Sequence, residues 1–571
     1  MAETNIQSFL GQVKVASTLT ANTFNFTGTI LRNGEEFIST PWDMIDNHVA
    51  YTTGNVAMCT TNTSHANLTV GGGVIRLTDD EVEANAYINL VQEDYGHPTN
   101  TRKFSKYSFS SYNATTRFGW SVSLDGGTLV VGAPRGPPYR GGVYVLTDAT
   151  LPGEGTKWTP LSRYQSVDLV SYDIFGYSVS IDGDTFVVGT PADPHTVTGV
   201  FGPSSRYHTH GSAYVYTRNT PGDLTSGWTQ FAKLTLDEYD YGFDELRSTK
   251  RFGHSVSISS DTLVVGAVNE NSGKGAAYVY TRGTAGDLTS SWSQIAQLTD
   301  NTGGGPIDQF GQSVSIRGDT LVVGAPYAYP NFEGAAYVYT RDTAGDLTSG
   351  WTKVARLIAS DGIGGEGWFG ESVAIDGDTI VIGSRWDGAA PGDDEYRGAA
   401  YVYTRDTPGD LTSTWSPIAK LTASDGDSLH HFSRCVAIYG DMIVISNDIG
   451  EVYIFTRDTA GDLTSGWTED KKLTLDAGGF SGGNIGNQNI SIDPRADKYN
   501  NIAVGIRQTS LGGEVHMFTR DPYLTVSTDI YVIGGRTLSF TGQHLCFPEG
   551  PIGPGLIVSA NKNKFMNLNG P

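Results

Sequence analysis

At 571 residues the chain has room for one large domain with extensions at either end. Charged residues make up only 17%, yet 61 acids against 38 bases leave a net charge of −23, which disfavours nucleic acid and anionic membranes as partners. Three cysteines, Cys59, Cys435 and Cys546, build no disulfide framework, and no stretch approaches the roughly 18 apolar residues of a membrane helix.

Residues 1–85 are rich in Thr, Asn and Val, with short apolar pairs and no helical period. This pattern predicts a fibre-like segment of short strands. Strand edges need partners, so the segment is expected to drive homo-oligomerisation, as a trimer. The start, MAETNIQSFLGQVKV, lacks the basic start and apolar core of a secretory signal, so sequons such as Asn113-Ala114-Thr115 are expected to be unused. Asp79–Glu93 is acidic and reads as a linker, or in part, over Ala84–Val91, as a strand.

From Phe118 onward the chain repeats. Phe-Gly recurs at Phe118, Phe175, Phe252, Phe310 and Phe369, and as Phe432-Ser433, with 58 residues from Phe252 to Phe310 and 59 to Phe369. A run of the LVVGAP kind follows each, at 129–134, 186–191, 263–268, 321–326, 380–385 and 443–448, and in degraded form at 502–507. Its lack of alternation suits a strand buried on both faces. A tyrosine strand comes next: GGVYVLT, GSAYVYT, GAAYVYT three times, GEVYIFT and GEVHMFT. The turn GDLTS then precedes Trp228, Trp292, Trp351, Trp415 and Trp467, with the looser PGEGTKW ending at Trp158. Four antiparallel strands cannot bury two apolar faces alone, so the units must stack on one another. Seven of them predict an all-β fold, a seven-bladed β-propeller spanning 86–525. Blade seven lacks a Trp strand after Arg520. The missing strand is expected from between Ala84 and Ser110, with Tyr523–Thr528 as the competitor. Residues 526–571 read as a short C-terminal β extension.

The succession of Phe-Gly, SVxI, VVGAP and GAxYVY over 118–522 resembles the FG-GAP repeat of integrin-α-type propellers. In that family some blades carry a calcium loop between the first two strands. Here the connection is a bare turn, as in Asp182-Gly183-Asp184 and Asp376-Gly377-Asp378. Such a turn offers too few oxygens for the six to eight that calcium takes. No metal site is carried over, and no cofactor is expected. Trp42–Val74, with Gly54-Asn55-Val56 and Leu68-Thr69-Val70-Gly71, resembles a segment of tail fibres and of algal giant-virus structural proteins. The ending LIVSANKNKFMNLNG resembles the stretch before the self-cleaving chaperone domain of some fibre proteins.

Several conspicuous residues have bland explanations. Arg317-Gly318-Asp319 spells an adhesive tripeptide, but its counterparts are Asp-Gly-Asp, Ser-Ser-Asp and Tyr-Gly-Asp, so a turn needing Gly and Asp accounts for it. His195, His208 and His210, with Asp193 nearby, have the spacing of a transition-metal site but read as loop histidines. The Asp pairs of the DTAGD turns, such as Asp342 and Asp346, are expected to bond their own turn's backbone. Cys435 replaces a first-strand serine and reads as a buried thiol. No P-loop, zinc-spaced His/Glu pair or sialidase Asp box is present, so no catalytic residue is expected.

Recognition is expected on the rim that carries the second-to-third and fourth-to-first connections, because these vary most. The longest are Ala192–His210 in blade two and Asp237–Lys250 leading into blade three. Their aromatic residues single out Phe201, Tyr207, His208, Tyr239, Tyr241 and Phe243 as ligand-binding. These features together predict a virion structural and attachment protein. Its N-terminal segment would join capsid or fibre proteins, and its propeller at the virion surface would bind a host-surface glycan or protein. A cellular adhesion or scaffold propeller (extracellular or at the cell surface) and a carbohydrate-active propeller enzyme are the alternatives.

Overall fold

The computed structural model describes the ring over 117–520, except for 136–139, 149–157, 167, 170–172, 193–209, 237–249, 301–306, 330–331, 362–366, 389–395, 426–430, 475–484, 494–500 and 510–511. Elsewhere it describes the strands 29–32, 35–39, 42–45, 48–51, 86–89, 104–111, 532–533, 536–537, 557–561 and 564–567. The chain divides at Gly73/Val74 into two units. The first contains two hairpins, Thr29–Arg32 with Glu35–Ser39 and Trp42–Ile45 with His48–Tyr51. The second contains the propeller. Among the described residues no helix is long and apolar enough to cross a membrane.

Blade four shows the common plan: Ser313–Arg317, Thr320–Ala325, Ala335–Arg341 and Trp351–Leu357, antiparallel in that order. The second strand is buried at every position, as its unbroken apolar run requires. Blades two, three, five and six repeat the plan as separate four-stranded sheets. Blade seven takes Ile485–Ile492, Asn501–Thr509 and Gly512–Arg520 from the end of the ring and its outer strand, Phe104–Ser111, from the beginning. A fifth strand, Ala86–Asn89, pairs outside that one. The ring therefore closes with a strand from the expected stretch, while Tyr523–Thr528 lies outside the described residues. Closure is completed where Ile485–Ile492 meets Ser121–Asp125 in parallel.

Small residues and hydroxyls join neighbouring blades near the axis. Ser178 Oγ donates to the Gly253 carbonyl of the next blade at 2.9 Å, and Ser255 and Ser313 repeat the bond onto Gly311 and Gly370. Two residues on, Ser180 Oγ accepts the Ile258 N–H at 3.1 Å, and Ser491 accepts Leu124 N–H across the closure at 2.9 Å. The glycine of VVGA is required here. A Cβ on Gly266 would stand 2.1 Å from the Gly311 carbonyl oxygen. The phenylalanines of Phe-Gly fill the gaps between blades: Phe310 is wholly buried among Val264 and Ala277 of blade three and Leu321 and Tyr337 of its own.

Candidate functional site: the variable rim

Strand polarity puts the first-to-second and third-to-fourth turns on one rim and the other two connections on the opposite one. The first rim is uniform. In blade four the buried Arg341 bonds Asp319 Oδ1 through Nε at 2.7 Å, the Asp346 carbonyl through Nη1 at 3.1 Å, and Thr262 Oγ1 of blade three through Nη2 at 2.7 Å. Its guanidinium lies 4.7 Å over the Trp351 ring. Arg218, Arg282, Arg405 and Arg457 repeat the arrangement. The adjoining turn closes on itself: Asp346 Oδ1 accepts the Thr348 N–H and hydroxyl at 2.9 and 2.7 Å. These two bonds hold its carboxyl below the usual range. Arg317 and Asp319 of the adhesive-looking tripeptide are both engaged, with Asp376 and Arg341.

The opposite rim differs from blade to blade. The residue before each Phe-Gly or Phe-Ser is Arg117, Ile174, Arg251, Gln309, Trp368 or His431, always with φ between 51 and 56°. A left-handed backbone costs a side-chain-bearing residue about 1–2 kcal/mol. Its recurrence shows that the ring imposes the conformation and leaves the side chain free to vary. The residue after each is Trp120, Tyr177, His254, Gln312, Glu371 or Arg434. Tyr177, His254, Gln312 and Glu371 line an axial cavity of about 220 Å³, deeper in which lie Val122, Val179, Val256, Val314, Val373 and Val436. Trp120 and Tyr177 rings lie 5.4 Å apart, Tyr177 and His254 5.1 Å apart. Burial, reinforced by Arg251, pushes the His254 imidazole down to about 4, so it is neutral at pH 7.

Over blades four to six the rim carries an arc of rings. Tyr327 lies 5.2 Å from Trp368, Trp368 5.2 Å from Trp386, and Trp386 4.9 Å from Tyr396 and 4.7 Å from His431. Arg385 lies over both tryptophans, 5.0 and 5.7 Å from their centroids, and pairs with Glu371 at 3.2 Å. Glu371 also holds Arg434, and Asp448 accepts from His431 at 2.8 Å. Burial alone would raise the Asp448 carboxyl, but His431, Arg385 and Arg434 together hold it low. The charges beneath the arc thus neutralise one another.

At the blade-four end of this arc the surface becomes apolar. Ile307, Tyr329, Phe332 and Ile358 are the exposed large hydrophobics among the described residues, at 51%, 64%, 48% and 47%. All four sit on the variable rim of this one blade. Phe332 meets Tyr327 at 6.4 Å, Tyr327 N–H donates to Asp308 O beside Ile307 at 3.4 Å, and Arg356 ties down Tyr329 O at 3.0 Å. Single exposed hydrophobics are ordinary, but four on the variable rim of one blade mark a candidate contact site.

Phe201, Tyr207, His208, Tyr239, Tyr241 and Phe243 lie outside the described residues, as do Asp193 and His195. His210 is half-buried, and its carbonyl accepts Phe252 N–H at 2.8 Å, linking blades two and three. Cys435 is a buried thiol outside any disulfide. Among the described residues no group of three His, Cys, Asp or Glu is arranged to hold a metal. Reading for long loops missed the arc and the apolar patch. Variation at the position before Phe-Gly, in a repeat that is otherwise nearly constant, singles out Trp368 and His431 of the arc; no sequence signal marks the patch.

A ring of four-stranded blades, closed by a strand from its beginning and joined at Phe-Gly junctions, defines a class of repeat propeller. The chain belongs to the FG-GAP repeat family, whose model matches residues 108–146, 158–216, 228–280, 292–339, 351–403 and 415–455, just over half of the chain. No curated protein matches it. Among solved structures it is similar to Sqt1 of Saccharomyces cerevisiae, at 12% identity and a TM-score of 0.38, over 73% of this chain and 98% of that one. Sqt1 of Chaetomium thermophilum gives 13% identity and a TM-score of 0.36, over 69% and 83%.

Proposed function

We propose that this FG-GAP propeller is a binding module and not a catalyst, and that its variable rim is the recognition surface. The observation that carries this reading is that, among the described residues, the exposed large hydrophobics gather on one rim, beside an arc of rings, while the opposite rim spends its side chains on its own turns. Aromatic and Arg-rich surfaces of this kind supply contact area at small entropic cost.

The finer reading is a virion structural and attachment protein. Its N-terminal segment, as a trimer, joins capsid or fibre proteins, and its rim meets a host-surface glycan or protein. The tail-fibre resemblance of Trp42–Val74 supports that assignment. Antibodies against the propeller, applied to virus particles purified from the source culture, test it. Labelled particles are expected, and particles free of the protein would sink the virion reading in favour of a cellular scaffold. A glycan panel tests the rest: release of sugar would bring back the enzyme, and binding without turnover supports the module. Within that reading the blade-two loop keeps its role. Replacing Ala192–His210 with blade four's connection is expected to abolish attachment to host cells or glycans while leaving the ring folded.

A further inference from the structure

We infer that the apolar patch of blade four is a docking site for a basic segment of another protein, anchored by aliphatic or aromatic side chains. The inference rests on the binding-module reading and narrows its ligand. Three observations carry it.

The first is the chemistry of the patch. Two of its four exposed side chains are isoleucines, which offer no flat face for a sugar ring to stack on but suit a hydrocarbon side chain. Tyr329 and Phe332 add the rigid area that anchors protein contacts.

The second is the state of the polar groups around it. A site that reads hydroxyls needs unengaged donors and acceptors placed at the ligand. Here Arg356 is committed to Tyr329 O and faces the Tyr337 hydroxyl, while that hydroxyl also donates to Asp300 at 2.5 Å. Beyond them Tyr401 and Lys420 are bound to Asp361 and Asp387. Glu371, Arg385, Arg434 and Asp448 are paired among themselves.

The third is charge. At −23 the chain draws in a basic segment before any contact forms. A basic segment with an apolar anchor therefore meets both the field of the molecule and the surface of the patch.

The test uses the full chain and the double variant Phe332→Ser/Ile358→Ser. Both replaced side chains are exposed, so melting should be unchanged, which is checked first. A phage-displayed library of random peptides is selected on the wild-type chain, and a panel of neutral and acidic glycans is probed in parallel. Enriched peptides are expected to combine Lys or Arg with Trp, Phe, Leu or Ile. Synthetic copies should bind the double variant at least tenfold more weakly, with an on-rate that falls as salt rises. The inference is overturned if no peptide is enriched, if the peptides bind the variant as well as the wild type, or if acidic peptides dominate. Glycan binding that survives the double variant would remove this inference and leave the attachment reading intact. Glycan binding lost in the variant would keep the patch and change its ligand class.

Discussion

On one rim of the ring, five blades repeat the same arginine with the same three partners. On the other, the pair of residues flanking Phe-Gly or Phe-Ser varies from blade to blade. The strands between the rims are nearly identical, so the contrast does not arise from the framework. It arises from what the side chains face. Arg341 reaches into blade three and to its own two turns at once, which fixes its identity. Trp368 and His431 hold equivalent backbone positions, yet only their neighbours on the rim constrain them. Repetition therefore marks the side that holds the ring together, and variation marks the side free to take on a partner.

The strongest way to break this contrast is to remove an arginine from the uniform rim. Arg341→Met strands the Asp319 carboxylate and leaves Thr262 and the Asp346 carbonyl without their donor. Loss of one partner of a buried pair costs about 3–5 kcal/mol, and urea unfolding should show a destabilisation of that size. Phe332→Ser on the variable rim should leave the midpoint where it was. If the two substitutions cost the same, the division between the rims is false.

Acid should sharpen the contrast on the variable side. His254 is neutral in the fold, with a value of about 4 against an ordinary 6.5. The unfolded chain takes up a proton near the ordinary value and the folded ring does not. Stability from this group is whole above the ordinary value and is lost as pH falls toward 4. Below that point the loss is complete, at roughly 3 kcal/mol. His254→Gln should lose correspondingly less stability than wild type between pH 7 and pH 4. Parallel melting curves for the two proteins over that range would show that His254 does not titrate as argued.

How much of this was legible in the sequence depends on how far apart the cooperating residues lie. Phe-Gly, VVGA and GAAYVYT each sit on one strand, so their recurrence alone gave seven blades and pointed to the N-terminal closing strand. The arginine staple was also written out, directly after YVYT at Arg218, Arg282, Arg341 and Arg405 and after YIFT at Arg457. It was passed over because its meaning lies in partners 79 residues back, as with Thr262, and on the far side of two turns. The arc is harder still. Tyr327, Trp368, Trp386 and His431 come from three blades, and no spacing along the chain announces that they meet. Loop length pointed instead to Ala192–His210 and Asp237–Lys250, most of which lies outside the described residues.

A smaller effect tests whether the ring imposes the left-handed residues. Gln309 has φ of 53° and side-chain freedom that no repeat constrains. Gln309→Gly relieves the crowding of the left-handed backbone, worth about 1–2 kcal/mol, but gives the unfolded chain more freedom to lose, worth about 1 kcal/mol. The net should be a gain of under about 1 kcal/mol. A clear destabilisation would mean that the Gln309 side chain holds the rim as Arg341 holds its counterpart.

The smallest expected effect is that of a chelator, and the reason lies at the outer end of the variable rim. In blade five Asp361 and Asp387 converge, the kind of oxygen pair that invites a cation. Lys420 Nζ already stands between them, at 2.5 and 3.0 Å. Blade six repeats the device with Asp425, Glu451 and Lys472, and blade two has Asp168 with Lys233. Burial works against the charge on Lys420, yet its two carboxylates raise its proton affinity, so the ammonium remains in place at neutral pH. A tethered cation needs no free ion to complete the site. The turn carboxylates on the other rim are likewise taken by their own threonines, as Asp346 is by Thr348. A bound ion at a hundred times its Kd would add about 2.7 kcal/mol to stability, and its removal would be plain in a melt. Melting in excess EDTA should instead match melting in millimolar calcium to within about 1 °C. A fall of tens of degrees would show that ions hold the blades where the lysines and threonines are argued to suffice.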